Sequence, residues 1–568
     1  MEDILWAKNR HLFGGLEPSN MKTFTATKTK ANEADDGTIT VTIKAKGPGV
    51  TMTPNGQVLC VCEKVIIRKS TEGYPKDEFD GELVATVTDK NYGTTRTITD
   101  ENVKDGKTYY YAAFPCSYQG VCNRNKANRA MVDLSHVIPY TYFFGYDLDL
   151  DDSNPATRVS YPDDVDNAMF EPVKMDYENG VFTYGGWRIE PGTKFMPRPC
   201  MLKYDGTVDH YLDPNNYALK TDGTASSVAD MSFAGNAMME WPKIYTKRWD
   251  TTDSDGNKIY HFRCSNIKID DDWDCWCNYD INDNVIDHFY TPIYFGSSDG
   301  TRLRSISGAS PKVSTLPASL NTMARANGSS DWTLEVFADR LLIQDLLVLM
   351  SKSTNTQESY GMGCYFEWEE YEKFTIGDMD TKGMFWGSTD LNTGVKVFGM
   401  ENWWAGYSRH IAGCSSGLNS SYLHVKITRG THDGSTATDY SFSNYTGYIT
   451  TGTRPSFINN STSHEGYINS MTTYPWGRIP YNEDGSNSTY ECDCAASFPK
   501  TTTSNYKNIY TLINGFYFSN KSLSTGGEGR FYRYEGAFAF NLEHKTDDLD
   551  GRSDCLGAAL SCKPSAQA

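Results

Sequence analysis

At 568 residues the chain is too long for one ordinary core, and two to four domains is the expectation. Its net charge of −19 repels phosphate backbones and argues against nucleic-acid binding. The best apolar run, Leu341 to Met350, is broken by Gln344 and Asp345 and is too short to span a bilayer. With 37 Tyr against 26 Phe and 12 Trp, and 48 Gly, the composition suits strands joined by many turns and half-buried surfaces for carbohydrate or protein contact. The start, Met1-Glu2-Asp3-Ile4-Leu5-Trp6-Ala7-Lys8, has neither the basic region nor the apolar stretch of a signal peptide, so synthesis in a cytosol is expected. There most of the 14 Cys should be reduced and buried. The pairs Cys275/Cys277 and Cys492/Cys494 are spaced too closely for zinc and no His cluster completes them, so no metal is assigned.

Residues 1–35 are polar and weakly patterned, which suits either a frayed terminus or an arm docking on a larger assembly. From 36 to 135 short strands dominate. Thr38–Ile43 alternates, and Lys64–Lys69, Gly81–Val84 and Lys107–Pro115 continue the series, with a turn at Glu72-Gly73-Tyr74-Pro75. This pattern predicts a β-sandwich. Asp105–Tyr111 resembles the penultimate strands of fibronectin type III modules, which serve as spacers or adhesive units. Residues 136–225 read as a connector or small β domain. Within it, Asp147, Asp149, Asp151 and Asp152 could hold a calcium ion, although the Gly and Glu of an EF-hand are missing; a solvated acidic turn is the plainer reading.

From 226 to 568 the pattern predicts an α+β domain with heavy loop decoration. Ala237–Tyr245 and Ile259–Cys264 read as strands. One helix is expected over Asp331–Lys352, capped by Asp331 or Ser330, with Leu334, Phe337, Ala338, Leu341, Leu342, Leu346 and Met350 forming a wide apolar stripe. The last forty residues combine Gly526-Gly527, an apolar run Gly536–Asn541, a charged run Glu543–Asp550 and a second apolar run Leu556–Leu560. Charged residues held between strands make a display surface.

Several segments in a shared order resemble tail-fibre and receptor-binding proteins of bacteriophages infecting gut bacteria: Tyr146–Asp149 with Asn154–Tyr161, Pro199–Asp209, Leu303–Pro311, Val397–Gly406 and Gly526–Leu560. The C-terminal part further resembles the C-type-lectin-like fold of the formylglycine-generating enzyme superfamily, with Glu401-Asn402-Trp403-Trp404 and Gly526-Gly527 at the positions of its core motif and Gly-Gly turn. The resemblance implies a β-rich, multidomain virion tail protein: an attachment arm, a fibronectin-III-like sandwich, and a lectin-like domain at 226–568 that adheres to a bacterial surface glycan or protein. It also implies other tail proteins as partners and a homo-oligomer, a trimer suiting fibre symmetry. Its displayed residues would be Glu528, Arg530, Phe531, Arg533, Tyr534, Glu535, Glu543, His544 and Lys545. The turn is followed by Glu-Gly-Arg-Phe rather than a Trp-Asn type run, which departs from the pattern of loops diversified by a retroelement.

Tyr440–Tyr448, with Tyr445 and Tyr448, and Tyr474–Arg478, with Trp476, have the Tyr, Ser, Asn and Gly content of adaptable binding loops. Trp403 and Trp404 could stack on sugars but read better as core. Cys555 and Cys562 could be oxidase thiols, yet only Arg552 and Lys563 nearby could lower a thiol pKa. Glu367, Glu369 and Glu370 are the candidates for a polysaccharide depolymerase, for which sequence cannot supply the needed carboxylate separation. No nucleophile elbow, zinc-protease motif or phosphate loop is present. The reading is therefore a non-catalytic, cofactor-free adhesin; a depolymerase and a purely structural baseplate or capsid-decoration protein are the rivals.

Overall fold

The computed structural model describes residues 17–29, 40–52, 55, 58–88, 94–103, 107–133, 142–154, 157–187, 195–363, 375–390, 393–404, 406–419, 422–431, 448–455, 464–468, 470–482, 495–498, 509–514, 540–541 and 556–565. The chain divides into two compact units, 1–141 and 142–568, both dominated by antiparallel strands.

In the first unit, β1 (Thr23–Thr29), β2 (Thr40–Lys46) and β6 (Arg96–Asp100) form one sheet. The other contains β3 (Val50–Met52), β4 (Val58–Ser70), β7 (Thr108–Ser117) and β8 (Arg129–Asp133), with β5 (Glu82–Thr88) on the free side of β4. Period-2 alternation turns Val41, Ile43 and Ala45 of β2 toward Val65 and Ile67 of β4 and Tyr109, Tyr111 and Ala113 of β7, and these residues share one core. Part of the expected arm belongs to this sheet, since β1 pairs with β2 along its whole length. Cys116 and Cys122 are joined in a disulfide across the turn after β7, where reduced thiols were expected.

The second unit corrects the division at 225. Strand Arg198–Lys203 pairs with Gly235–Pro242, and Phe143–Asp149 pairs with Lys258–Ser265, so the expected connector is woven into the sheets that follow it. A seven-stranded sheet runs in the order Asn216–Lys220, Val208–Asp213, Arg198–Lys203, Gly235–Pro242, His288–Pro292, Leu560–Cys562, Trp332–Leu334. The C-terminal strand is thus interior to this sheet, with Ala558 to Lys563 buried. The expected apolar run Leu556–Leu560 thus supplies two strands, Leu556–Ala558 and the start of Leu560–Cys562.

The expected long helix begins later than its apolar stripe suggests. Trp332–Leu334 is a strand paired with Leu560–Cys562, and helix α2 spans Phe337–Ser351 after a shorter α1, Pro317–Arg325. Val336 occupies the N-cap without a side-chain bond; Asp331 instead accepts from Ser565 Oγ at 2.7 Å. Every residue of α2 is buried, so its polar side chains need internal partners. Asp339 pairs with Lys563 at 2.7 Å, Arg340 with Glu335 at 2.6 Å and Asp345 with Arg248 at 2.7 Å. These bonds tie the helix to the C-terminal strand, to its own approach segment and to strand Tyr245–Thr252, which pairs with Lys258–Ser265.

Candidate functional site

The acidic run does not converge on a common point. Asp147 accepts from His261 and Arg263, both at 2.8 Å; their hydrogen bonds, working against burial, hold its carboxyl below the usual range. Asp149 takes the backbone N–H groups of Asp151 and Asp152, and Asp151 takes that of Lys258. Asp152 accepts from Thr157 Oγ1 at 2.6 Å. Each carboxylate closes a turn or joins strands. Among the described residues no group of three or more His, Cys, Asp or Glu is arranged to hold a metal ion.

The tryptophan motif is core. Lys396–Val397 and Met400–Glu401 form a tight hairpin whose turn residues, Phe398 and Gly399, have φ of 48° and 79°. Positive φ at both turn positions matches the twist of a two-residue hairpin, and at Phe398 it carries a steric cost that deep packing must offset. Trp403 and Trp404 are buried, and the Arg340 guanidinium lies 3.8 Å from the Trp403 ring centre.

The same hairpin carries the most perturbed acid and base close to neutrality. Lys396, fully buried, donates to Met379 O at 2.8 Å and lies 3.7 Å from the Tyr217 ring centre. Desolvation lowers its pKa to about 7. Glu401 accepts from Gly377 N–H at 2.8 Å through Oε2, while Oε1 has no hydrogen-bond partner among the described residues. Burial raises its pKa to about 8, so near neutral pH the acid is largely uncharged. Asp380 accepts from Ser307 Oγ at 2.6 Å and from the Tyr294 hydroxyl. Such values suit proton transfer. Yet both reactive groups are enclosed, and a general acid or base must reach its substrate. The described geometry makes the cluster a clamp holding the hairpin and the 376–380 turn to the core.

Trp476, expected on an adaptable loop, sits in the two-residue turn between strands Ser470–Tyr474 and Gly477–Asn482. It is buried and stacks on Tyr474 at 4.8 Å between ring centres, while Pro475 O accepts from Arg248. Its indole is therefore committed to packing. Cys275, Cys277 and Cys562 are buried with thiol pKa values pushed up by desolvation, opposite to what a reactive thiol needs.

Glu528, Arg530, Phe531, Arg533, Tyr534, Glu535, Glu543, His544, Lys545 and Tyr445 lie outside the described residues, as do Glu367, Glu369, Glu370, Cys492, Cys494 and Cys555. Tyr448 begins strand Tyr448–Pro455. The boundaries of the expected display segment are described. Strands Ile509–Asn514, Phe540–Asn541 and Leu556–Ala558 belong to one eight-stranded sheet, with Ile513 opposite Asn541 and Leu556–Ala558 parallel to Ser408–His410. No protein-family model matches the chain, and no curated protein is similar to it.

Proposed function

We propose that the chain is a non-catalytic virion tail protein that adheres to a bacterial surface glycan or outer protein. Its first unit would be a fibronectin-III-like spacer and its second would carry a C-type-lectin-like receptor-binding region. One observation supports the reading most: residues 515–539 and 542–555 start and end on strands of a single sheet. These are the segments that hold the expected contact residues, and both ends of each are anchored. Connections this long between sheet strands commonly carry function. A sheet that anchors both ends of each segment is an arrangement suited to recognition.

Several copies on one particle would turn modest single-site contacts into firm adhesion. The test is retention of labelled full-length chain on intact gut-bacterial cells, with purified surface polysaccharide assayed in parallel for new reducing ends. Saturable retention without new ends is expected. New reducing ends would establish the depolymerase instead, and neither signal would favour a structural component.

A further inference from the structure

We propose that Lys69 and Asp100, in the first unit, form an intramolecular isopeptide bond, with Glu82 carrying the proton between the two groups. The inference is independent of the adhesion reading. Lys69 lies on β4 and Asp100 at the end of β6, so the pair joins the two facing sheets. Both are buried, at 2% and 6% exposure. Lys69 Nζ straddles the carboxylate, 2.9 Å from Oδ1 and 3.0 Å from Oδ2, which places Cγ within reach of the amine. The Tyr111 hydroxyl donates to Oδ2 at 2.9 Å, and the Tyr109 ring centre lies 5.5 Å from Nζ. Glu82 is the cross-strand neighbour of Lys69, and its Oε1 stands 3.7 Å from Nζ, where Asn102 Nδ2 also holds it at 2.6 Å.

The arrangement contains what amide formation requires. A proton passes from the Lys69 ammonium to the Asp100 carboxylate, leaving a neutral amine beside a neutral acid. The amine lone pair attacks Cγ, and the negative charge that develops on Oδ2 takes the hydrogen bond from Tyr111. Nζ then gives a proton to Glu82, which passes it to the departing Oδ1 hydroxyl. The Cγ–Oδ1 bond breaks, the carbonyl re-forms at Oδ2, and one water leaves. Ammonium plus carboxylate becomes amide plus water, Glu82 returns to its starting state, and no oxidant or activating group is needed. In open water hydrolysis would win; here two immobilised groups meet in a site shielded from bulk water, where effective concentration is very high. Glu82 is about half exposed, which leaves the water a route out.

Intact-mass measurement of the reduced full-length chain tests the bond. The expected mass is one water below that of the sequence, with a branched peptide joining the Lys69 and Asp100 segments and no tryptic cleavage after Lys69. Lys69→Arg keeps the charge but cannot form the amide, and should show the full mass. Glu82→Gln should fold normally and acquire the bond more slowly. A wild-type chain of full mass, with normal cleavage after Lys69, makes the pair an ordinary buried salt bridge and overturns the proposal. Equal water loss in Lys69→Arg would also overturn it, by moving the dehydration elsewhere.

Discussion

Replacing Lys563 by Met separates the electrostatic role of the C-terminal strand from its packing. Met keeps most of the apolar stem while removing the ammonium that pairs with Asp339 at 2.7 Å, where both side chains are fully enclosed. The substitution also removes a hydrogen bond to Cys277 O and the contact with the Phe289 ring, whose centre is 4.7 Å away. An unpaired Asp339 carboxylate is left inside the core, and breaking such a pair costs about 3–5 kcal/mol. Urea unfolding followed by tryptophan fluorescence reads this unit selectively, because every Trp except Trp6 lies in 142–568. The midpoint should fall by on the order of 1 M.

Adding Asp339→Leu should recover most of the loss, since an apolar pair needs no compensation. Burial already raises the Asp339 pKa, and removing Lys563 raises it further. A folded-state pKa above the unfolded value means the folded state holds more protons, so the penalty in Lys563→Met should shrink as pH falls. An unchanged midpoint, or a double variant weaker than the single one, would show that the strand is not held through this pair.

Stability against pH should show a minimum between about 7 and about 8. It falls as pH rises from the unfolded Glu401 value of 4.5 toward its folded value of about 8, and recovers between the folded Lys396 value of about 7 and its unfolded 10.5. Glu401→Gln should abolish the fall and Lys396→Met the recovery; thermal melts of both across this range check the assignment. Trp476→Ala should lower stability by about 3–5 kcal/mol, as for a buried aromatic, whereas a change below about 0.5 kcal/mol would return Trp476 to the surface. Cys200, Cys264, Cys277, Cys414 and Cys562 should resist thiol labelling in the native chain and react on unfolding, read peptide by peptide; rapid native labelling of any of them would contradict their burial.

Strand content was legible in stretches such as Thr40–Lys46, where alternation records the burial of one face locally; the alternating Tyr245–Thr252 went unread. Trp332–Leu334 was not. Its partner is Leu560–Cys562, far along the chain, and three apolar residues before a helix extend the helical stripe equally well. Helix α1 had a usable signal, Pro317 at its first turn with Leu320, Asn321 and Ala324 buried at helical spacing. Lys396 and Glu401 carry no sequence mark of burial, since composition assigns charged residues to solvent and only tertiary packing encloses them. Tyr474–Arg478 has loop-like composition, yet a two-residue turn folds its indole inward. Among the described residues, the segments that carried the phage resemblance fall largely on framework: the Pro199–Asp209 hairpin, buried Arg304 and the Trp403–Trp404 pair. A shared framework bears on fold more than on ligand.

Cell retention of the Arg533→Ala/Tyr534→Ala double variant tests the central claim most directly. Labelled wild-type and variant chains are compared on the same intact gut-bacterial strains, with melting temperature as the control for folding. Surface changes usually shift stability by about 0.5 kcal/mol or less, whereas Arg and Tyr often dominate binding. The account predicts saturable wild-type retention, and a sharp loss in the variant at an unchanged melting temperature. Equal retention of the two chains at equal stability would contradict recognition through Arg533 and Tyr534, and absence of wild-type retention from every strain would contradict adhesion itself.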